Sequence, residues 1–204
     1  TQAINNYIKA IEIDPKNFNA CYNLGNLYRK QNNIQKAEKY LFQVIEIKPK
    51  MLSAYNNLFE LYDRSNQVSK LQNILDKAQL NLGSNPLIDF FKGIIEFKNK
   101  NYKQAIKNLE NIKLNEKDFN RLIIKEDILA KSYDFLGEYD KAFKYFARAN
   151  NLFNSYYKSR INKNFYLNLI KKRTNYFSNI KKINWRSIEI DDEFRDPIFL
   201  VGFP

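Results

Sequence analysis

Small and bulky apolar residues return in this chain at a period of 34 residues. Asn23-Leu24-Gly25 is followed by Tyr28, Ala37, Tyr40-Leu41 and Pro49. Thirty-four residues before Ala37 stands Ala3, followed by Tyr7, Ala10 and Asp14-Pro15. Thirty-four after it stands Leu71, preceded by Asn57-Leu58 and Tyr62, and the next step gives Ala105, preceded by Gly93. Ala142 comes after a longer step of 37, with Ala130 and Tyr133 ahead of it and Phe146 and Ala149 behind. A repeat of this length is one supersecondary unit that cannot bury its apolar face alone and must stack on its neighbours. Small residues at two sites per unit mark close approach between helices, and bulky residues between them fill the gaps. Proline at Pro15 and Pro49 stops one helix ahead of the next. Each unit therefore reads as two antiparallel helices.

Composition agrees. Gly and Pro number only five each, and helix formers are spread throughout. Histidine is absent, which excludes Ser-His-Asp and Cys-His nucleophile activation within these residues. A single cysteine, Cys21, closes neither a disulfide nor an ordinary zinc site, so no catalytic and no metal-ligating residue is assigned. No run reaches the length of a membrane span, and cytoplasmic residence is the expectation. The chain opens on Thr1, which reads as an internal start to an array begun upstream.

The pattern resembles the tetratricopeptide repeat (TPR), recurring four times in register. The expected fold class is all-α: a TPR superhelical solenoid of αα-hairpins, with a C-terminal helical connector and a truncated β-strand. Residues 1–17 are read as the trailing half of a repeat. Full repeats follow at 18–51, 52–85, 86–122 and 123–156, starting near Phe18, Leu52, Pro86 and Ile123. The second is degenerate, because Phe59 replaces the small glycine and Leu71 the alanine, and looser or shifted packing is expected there. The three extra residues before the fourth are expected in a longer turn around Asn115 to Asp118. The resemblance implies that first helices line a concave wall that takes a protein or peptide. Tyr22, Asn23, Asn26 and Arg29 then face inward from the first unit, and Asn56, Asn57, Glu60 and Asp63 from the second. Of these, Tyr22, Asn23, Asn26, Arg29, Asn56 and Asn57 are the candidate peptide-binding residues. Asn23 and Asn57 stand at equivalent positions, and an asparagine amide offers donor and acceptor together to an extended backbone. Sugar-transferring enzymes with similar repeats use such an asparagine ladder. Here it has two rungs, since Phe91 and Ile128 take the position in the later units, and an Asn-rich chain also places asparagines there by chance.

Charge is uneven. From Lys141 to Ile188 there is no acid, yet there are twelve basic residues. Within residues 157–188, Ile161, Phe165, Leu169, Tyr176 and Ile180 share one side of a helix, with Arg160, Lys163, Lys171, Lys181 and Lys182 opposite. Lys172 and Arg173 break the pattern, so a bend or end near Thr174 is expected. A basic, amphipathic connector capping the array is the simplest reading. Nucleic acid is disfavoured as a partner, because the aromatics follow helix-packing periodicity and no nucleic-acid motif is present. An anionic cofactor or acidic peptide remains open.

Residues 189–204 read as a linker and a buried-type strand, Ile198 to Val201, running into Gly202. The segment Asp196-Pro197-Ile198-Phe199-Leu200-Val201-Gly202-Phe203-Pro204 resembles the approach to the catalytic domain of the TPR sulfotransferases. In that bacterial family the strand leads to a loop of a basic residue, Ser, Gly and two Thr, which wraps the 5′-phosphosulfate of 3′-phosphoadenylyl sulfate. Gly202, Phe203 and Pro204 match the start of that loop, and the rest lies past the last residue. The resemblance implies a parent enzyme that transfers sulfuryl to a hydroxyl acceptor, with these repeats presenting the acceptor or mediating assembly. A stand-alone TPR adaptor and a repeat-bearing glycosyltransferase are the alternatives.

Overall fold

A hairpin forms wherever the chain can leave one helix and re-enter the next without orphaning backbone groups, and here it does so in the same way four times. The computed structural model describes residues 2–158 and 163–178. Its helices are α1 (Gln2–Ile13), α2 (Phe18–Lys30), α3 (Ile34–Ile47), α4 (Leu52–Arg64), α5 (Val68–Leu82), α6 (Pro86–Lys98), α7 (Tyr102–Leu109), α8 (Phe119–Phe135), α9 (Tyr139–Tyr157) and α10 (Lys163–Ser178), with no strand among the described residues. After each first helix one residue takes a left-handed conformation: Asn32 (φ 57°), Asn66 (53°), Lys100 (64°) and Gly137 (76°). The next N–H then reaches back five residues: Asn33 to the Tyr28 carbonyl, Gln67 to Tyr62, Asn101 to Glu96 and Glu138 to Tyr133, at 2.8–2.9 Å. This is the Schellman closure, which satisfies carbonyls that a helix end leaves bare.

Starts are fixed as locally as stops. The side chains of Asn17, Asn33, Asn85 and Asp118 accept from backbone N–H groups two or three residues on. Pro86 sits in the first turn of α6, where its missing N–H costs nothing.

The α1–α9 array is one compact unit, and α10 belongs to another, described by itself. Within the array each helix packs on the next in sequence. In addition α2 packs on α4 and α6 on α8, while second helices make no comparable contact with one another. First helices thus lie side by side along a single wall, as a TPR superhelical solenoid requires.

Gly25 and Gly93 are where helices meet most closely. A Cβ on Gly25 would lie 2.9 Å from Leu41 Cγ, and one on Gly93 only 2.4 Å from Leu109 Cγ. The second unit has no such glycine. Phe59 and Leu71 are both fully buried there, and Phe59 stacks obliquely on Phe91 at 5.0 Å.

The longer spacing before the fourth unit is taken up in two places. The connection at residues 110–118 is longer than those at 48–51 and 83–85, and α8 begins at Phe119, a turn ahead of Ile123, while α7, with only 8 residues, offsets part of that gain. Residues 110–118 carry the chain between them without helix. Glu110 anchors the start of that segment, its Oε1 accepting from the hydroxyls of Tyr133 (2.9 Å) and Tyr145 (2.8 Å). Those two rings stack at 5.4 Å. Burial, then the Glu110 carboxylate, raises both phenols, and Tyr145 is pushed up to about 12. In α10 the helix continues past Thr174 to Ser178; Leu167, Ile170 and Tyr176 are exposed along it, as are Lys171, Lys172 and Arg173. Ile161, Ile180 and the expected strand at Ile198 to Val201 lie outside the described residues.

Three outcomes test this account. Gly93→Ala should destabilise the array by about 1–3 kcal/mol in urea melts, and more than Gly25→Ala, because overpacking is costlier where less room exists. Lys100→Gly should stabilise it by roughly 0.5–1 kcal/mol, since a left-handed lysine bears a steric penalty that glycine does not. An unfolded tyrosine ionises near pH ~10, whereas Tyr145 holds its proton to about 12. The folded state therefore binds more protons in that window, and its stability is fully present below it and declines as pH rises through it. Urea melts from pH 9 to pH 12 should show a shallower alkaline decline for Tyr145→Phe than for the wild type.

Candidate functional site

The wall of first helices carries a row of polar side chains, and most of them are spent on one another. On α4, Glu60 is the hub. Its Oε2 accepts from Arg29 Nη1 on α2 at 2.9 Å, and its Oε1 from Arg121 Nη2 on α8 at 2.8 Å. Arg121 Nη2 also donates to Asn56 Oδ1 at 2.8 Å, and Arg121 Nη1 pairs with Asp118. Asn56 in turn donates to Glu60 Oε1 at 3.3 Å. Asn57, a buried residue, donates to Asn26 Oδ1 on α2 at 2.7 Å. Asp63 accepts from Lys98 of α6 at 2.7 Å.

Arg121 owes its place to the extra turn at the front of α8. It is helical and held by the Asp118 cap, and it reaches past α6, whose inner positions carry Phe90, Phe91 and Ile94 instead of polar groups. Glu60, Arg29 and Arg121 are each about one-fifth to one-quarter exposed, so the network is shielded without being sealed. Two cations and two carboxylates balance within it.

Toward α1 the wall opens. A cavity of about 380 Å³ is lined by Tyr7, Tyr22, Asn23, Asn26, Arg29 and Lys30, with Ala3, Leu27 and Asn57 at its edges. Tyr22, Asn23 and Lys30 make no side-chain hydrogen bond or ion pair among the described residues, and Asn23 and Lys30 are exposed. Arg29 Nε is buried and donates to nothing. Rings, one free amide and a cationic edge thus border one concavity of a size that holds a side chain or two.

The candidate residues divide accordingly. Tyr22, Asn23, Asn26 and Arg29 come together at this cavity, with Asn57 behind Asn26. Asn56 lies away from it, in the Glu60 network. The two equivalent asparagines differ in state: Asn23 is free and exposed, Asn57 buried and bonded. Tyr7, Lys30 and Arg121 belong to the wall and were not singled out from sequence. Asp118, a cap residue one turn ahead of Ile123, was the available sign for Arg121. Gly202, Phe203 and Pro204, the proposed start of a phosphosulfate loop, lie outside the described residues. Among the described residues no cluster of metal-ligand side chains forms, and no helix is long and apolar enough to cross a membrane.

Helical hairpins stacked through a first-helix wall define a tetratricopeptide-repeat solenoid. Comparison with known proteins gives the same class. Residues 1–32 match a TPR repeat model, and residues 18–51 and 128–156 match tetratricopeptide repeat models. Among solved structures, MamA is 20% identical with a TM-score of 0.62, the match covering 76% of this chain and 89% of that one. PilW, a type IV pilus biogenesis factor, is 22% identical with a TM-score of 0.57, over 72% of this chain and 67% of that one. The APC/C hetero-tetramer Cut9–Hcn1 gives 16% identity and a TM-score of 0.61, over 74% and 30%. At these identities the likeness speaks for the fold. No curated protein matches by sequence. The matching models are repeats, and none of these findings supports the sulfotransferase resemblance.

Removing one partner of the hub should register in salt. Arg121→Ala should cost about 1–2 kcal/mol at low ionic strength, because it strips hydrogen bonds from Glu60 and Asn56. Urea melts in 1 M NaCl should show a smaller difference between variant and wild type, the partly exposed charges being screened there.

Proposed function

We propose that this chain is a protein-interaction scaffold that holds an extended peptide segment of its partner at the α1–α2 end of the first-helix wall. The carrying observation is the contrast along that wall. The polar groups that α4 turns to the wall are satisfied internally, whereas Asn23 and Lys30 are free beside the cavity. The free Asn23 amide suits a peptide backbone, the tyrosine rings an apolar side chain, and Lys30 an acidic group. A randomised decapeptide library panned against the chain should enrich sequences with Asp or Glu beside an apolar residue. Their affinity should fall about tenfold in Asn23→Ala and in Lys30→Glu, roughly the worth of one charge-assisted contact. It should change little in Arg121→Ala. Enrichment indifferent to residues 23 and 30 would place the ligand elsewhere.

A second reading rests on the nonapeptide Asp196 to Pro204 following repeats and a basic segment in that order. Under it, the repeats present a hydroxyl acceptor for sulfuryl transfer from 3′-phosphoadenylyl sulfate by a domain whose phosphosulfate loop begins at Gly202, Phe203 and Pro204. The codons after Pro204 decide it. A basic residue followed by Ser, Gly and two Thr supports this reading, and any other sequence removes it.

A further inference from the structure

The formal charge of +12 is carried entirely by residues 141–188, which hold twelve basic residues and no acid, while the rest of the chain is neutral. The α1–α2 cavity makes no use of it. Within the array this charge is partly answered: Lys141 pairs with Glu138 at 2.7 Å, and Arg148 lies 3.9 Å from Glu126. On α10 it is not. Lys171, Lys172 and Arg173 are consecutive, exposed and without an ion pair among the described residues. Neighbouring like charges repel, so such a cluster gains free energy when an anion meets it.

The same helix exposes apolar side chains. Leu167 is 56% exposed, Ile170 43% and Tyr176 66%. At about 100° per residue, Tyr176, Leu169, Ile170 and Leu167 span roughly 180° around the helix. Lys172 stands about 40° beyond one border of that half and Lys171 about 40° beyond the other. Asn168 and Asn175 lie between the two lysines on the remaining side. Arg173 falls within the apolar half, where a long stem can lie along apolar surface while its guanidinium reaches outward. An apolar half bordered by lysines suits a helix that lies in the plane of a lipid–water boundary.

The extent of the charge says which anion answers it. A discrete acidic ligand needs a few cations at fixed positions and is indifferent to carboxylates a few turns away. Exclusion of every acid from Lys141 to Ile188 instead favours a continuous negative field, such as a surface or a polyanion presents. Nucleic acid is continuous too, but Leu167 and Ile170 offer neither a charge to its phosphates nor a ring to its bases. A bilayer takes both kinds of side chain, the cations at its phosphates and the aliphatic groups at its acyl boundary. With 16 residues α10 is short for a span, and among the described residues no helix is long and apolar enough to cross a membrane. We propose that α10 docks on the surface of a bilayer rich in acidic phospholipid. It lies in the plane of that surface, its apolar half toward the acyl chains and Lys171, Lys172 and Arg173 on headgroup phosphates.

Flotation of the full chain with lipid vesicles tests this. The chain is expected to float with phosphatidylcholine vesicles that contain about 30% phosphatidylserine, and not with phosphatidylcholine alone. Changing Lys171, Lys172 and Arg173 together to Gln should weaken binding about a hundredfold, roughly fivefold per cation. Leu167→Gln with Ile170→Gln should weaken it at least about tenfold, and what binding remains should vanish in about 0.5 M NaCl. Lys171→Arg, Lys172→Arg and Arg173→Lys together keep the charge and should hold binding within about twofold. Helical circular dichroism unchanged across the variants separates lost docking from lost helix. Equal flotation with both kinds of vesicle, or with neither, overturns the proposal. So does flotation indifferent to Leu167→Gln and Ile170→Gln, which marks a purely electrostatic contact. Tighter binding to an oligonucleotide of about 20 residues than to the acidic vesicles also overturns it, and gives the helix to nucleic acid instead.

Discussion

The array depends on one backbone event repeated at residues 32, 66, 100 and 137. A single left-handed residue lets the following N–H close a ring on the helix just ended. That closure fixes the angle at which each second helix leaves, and the angle decides which side chains can meet. Gly25 can face Leu41, and Gly93 Leu109, only because the two helices return at a constant pitch. Where Phe59 stands in place of the glycine, the reversal still forms and the larger side chain is fully buried. Turn geometry is therefore set locally, and packing adjusts to it.

The same pitch brings first helices beside one another and creates the wall. Its chemistry is then a competition for partners. Glu60 stands within reach of Arg29 from one side and Arg121 from the other, and so it is neutralised in place. Polar groups at the α1 end have fewer neighbours to spend themselves on. Ligand capacity along the wall is thus set by what neighbouring helices leave unbonded, and the number of asparagines matters less.

The period of 34 was legible because close approach allows few residue types, and those types recur. Helix starts at Phe18, Leu52 and Pro86 follow from caps and prolines that act within a few residues. Phe119 was less legible. The extra length was expected in a turn around Asn115 to Asp118, and a long non-helical connection does lie at residues 110–118, but Asp118 also caps a further helical turn. Within the site, sequence spacing placed Tyr22, Asn23, Asn26 and Arg29 on one wall. It did not reveal that Asn57 is buried against Asn26, or that Asn56 is held by Arg121, 65 residues away. Those bonds depend on lateral distances between helices, which no local pattern records. The Cys21 thiol, facing Gln43 inside unit one, is answered in unit four by Glu126 facing Arg148. Equivalent positions thus keep their geometry while exchanging their chemistry.

The reach of Arg121 has a thermodynamic consequence. In an ideal repeat array each unit feels only its immediate neighbours, and stability is a sum over adjacent interfaces. Arg121 instead ties unit four to unit two across the whole thickness of unit three. Fraying from one terminus then loosens a contact two units inward, so unfolding is drawn together into a broader cooperative block. An insertion of three residues in a linear array has in this way given it a brace between non-adjacent floors.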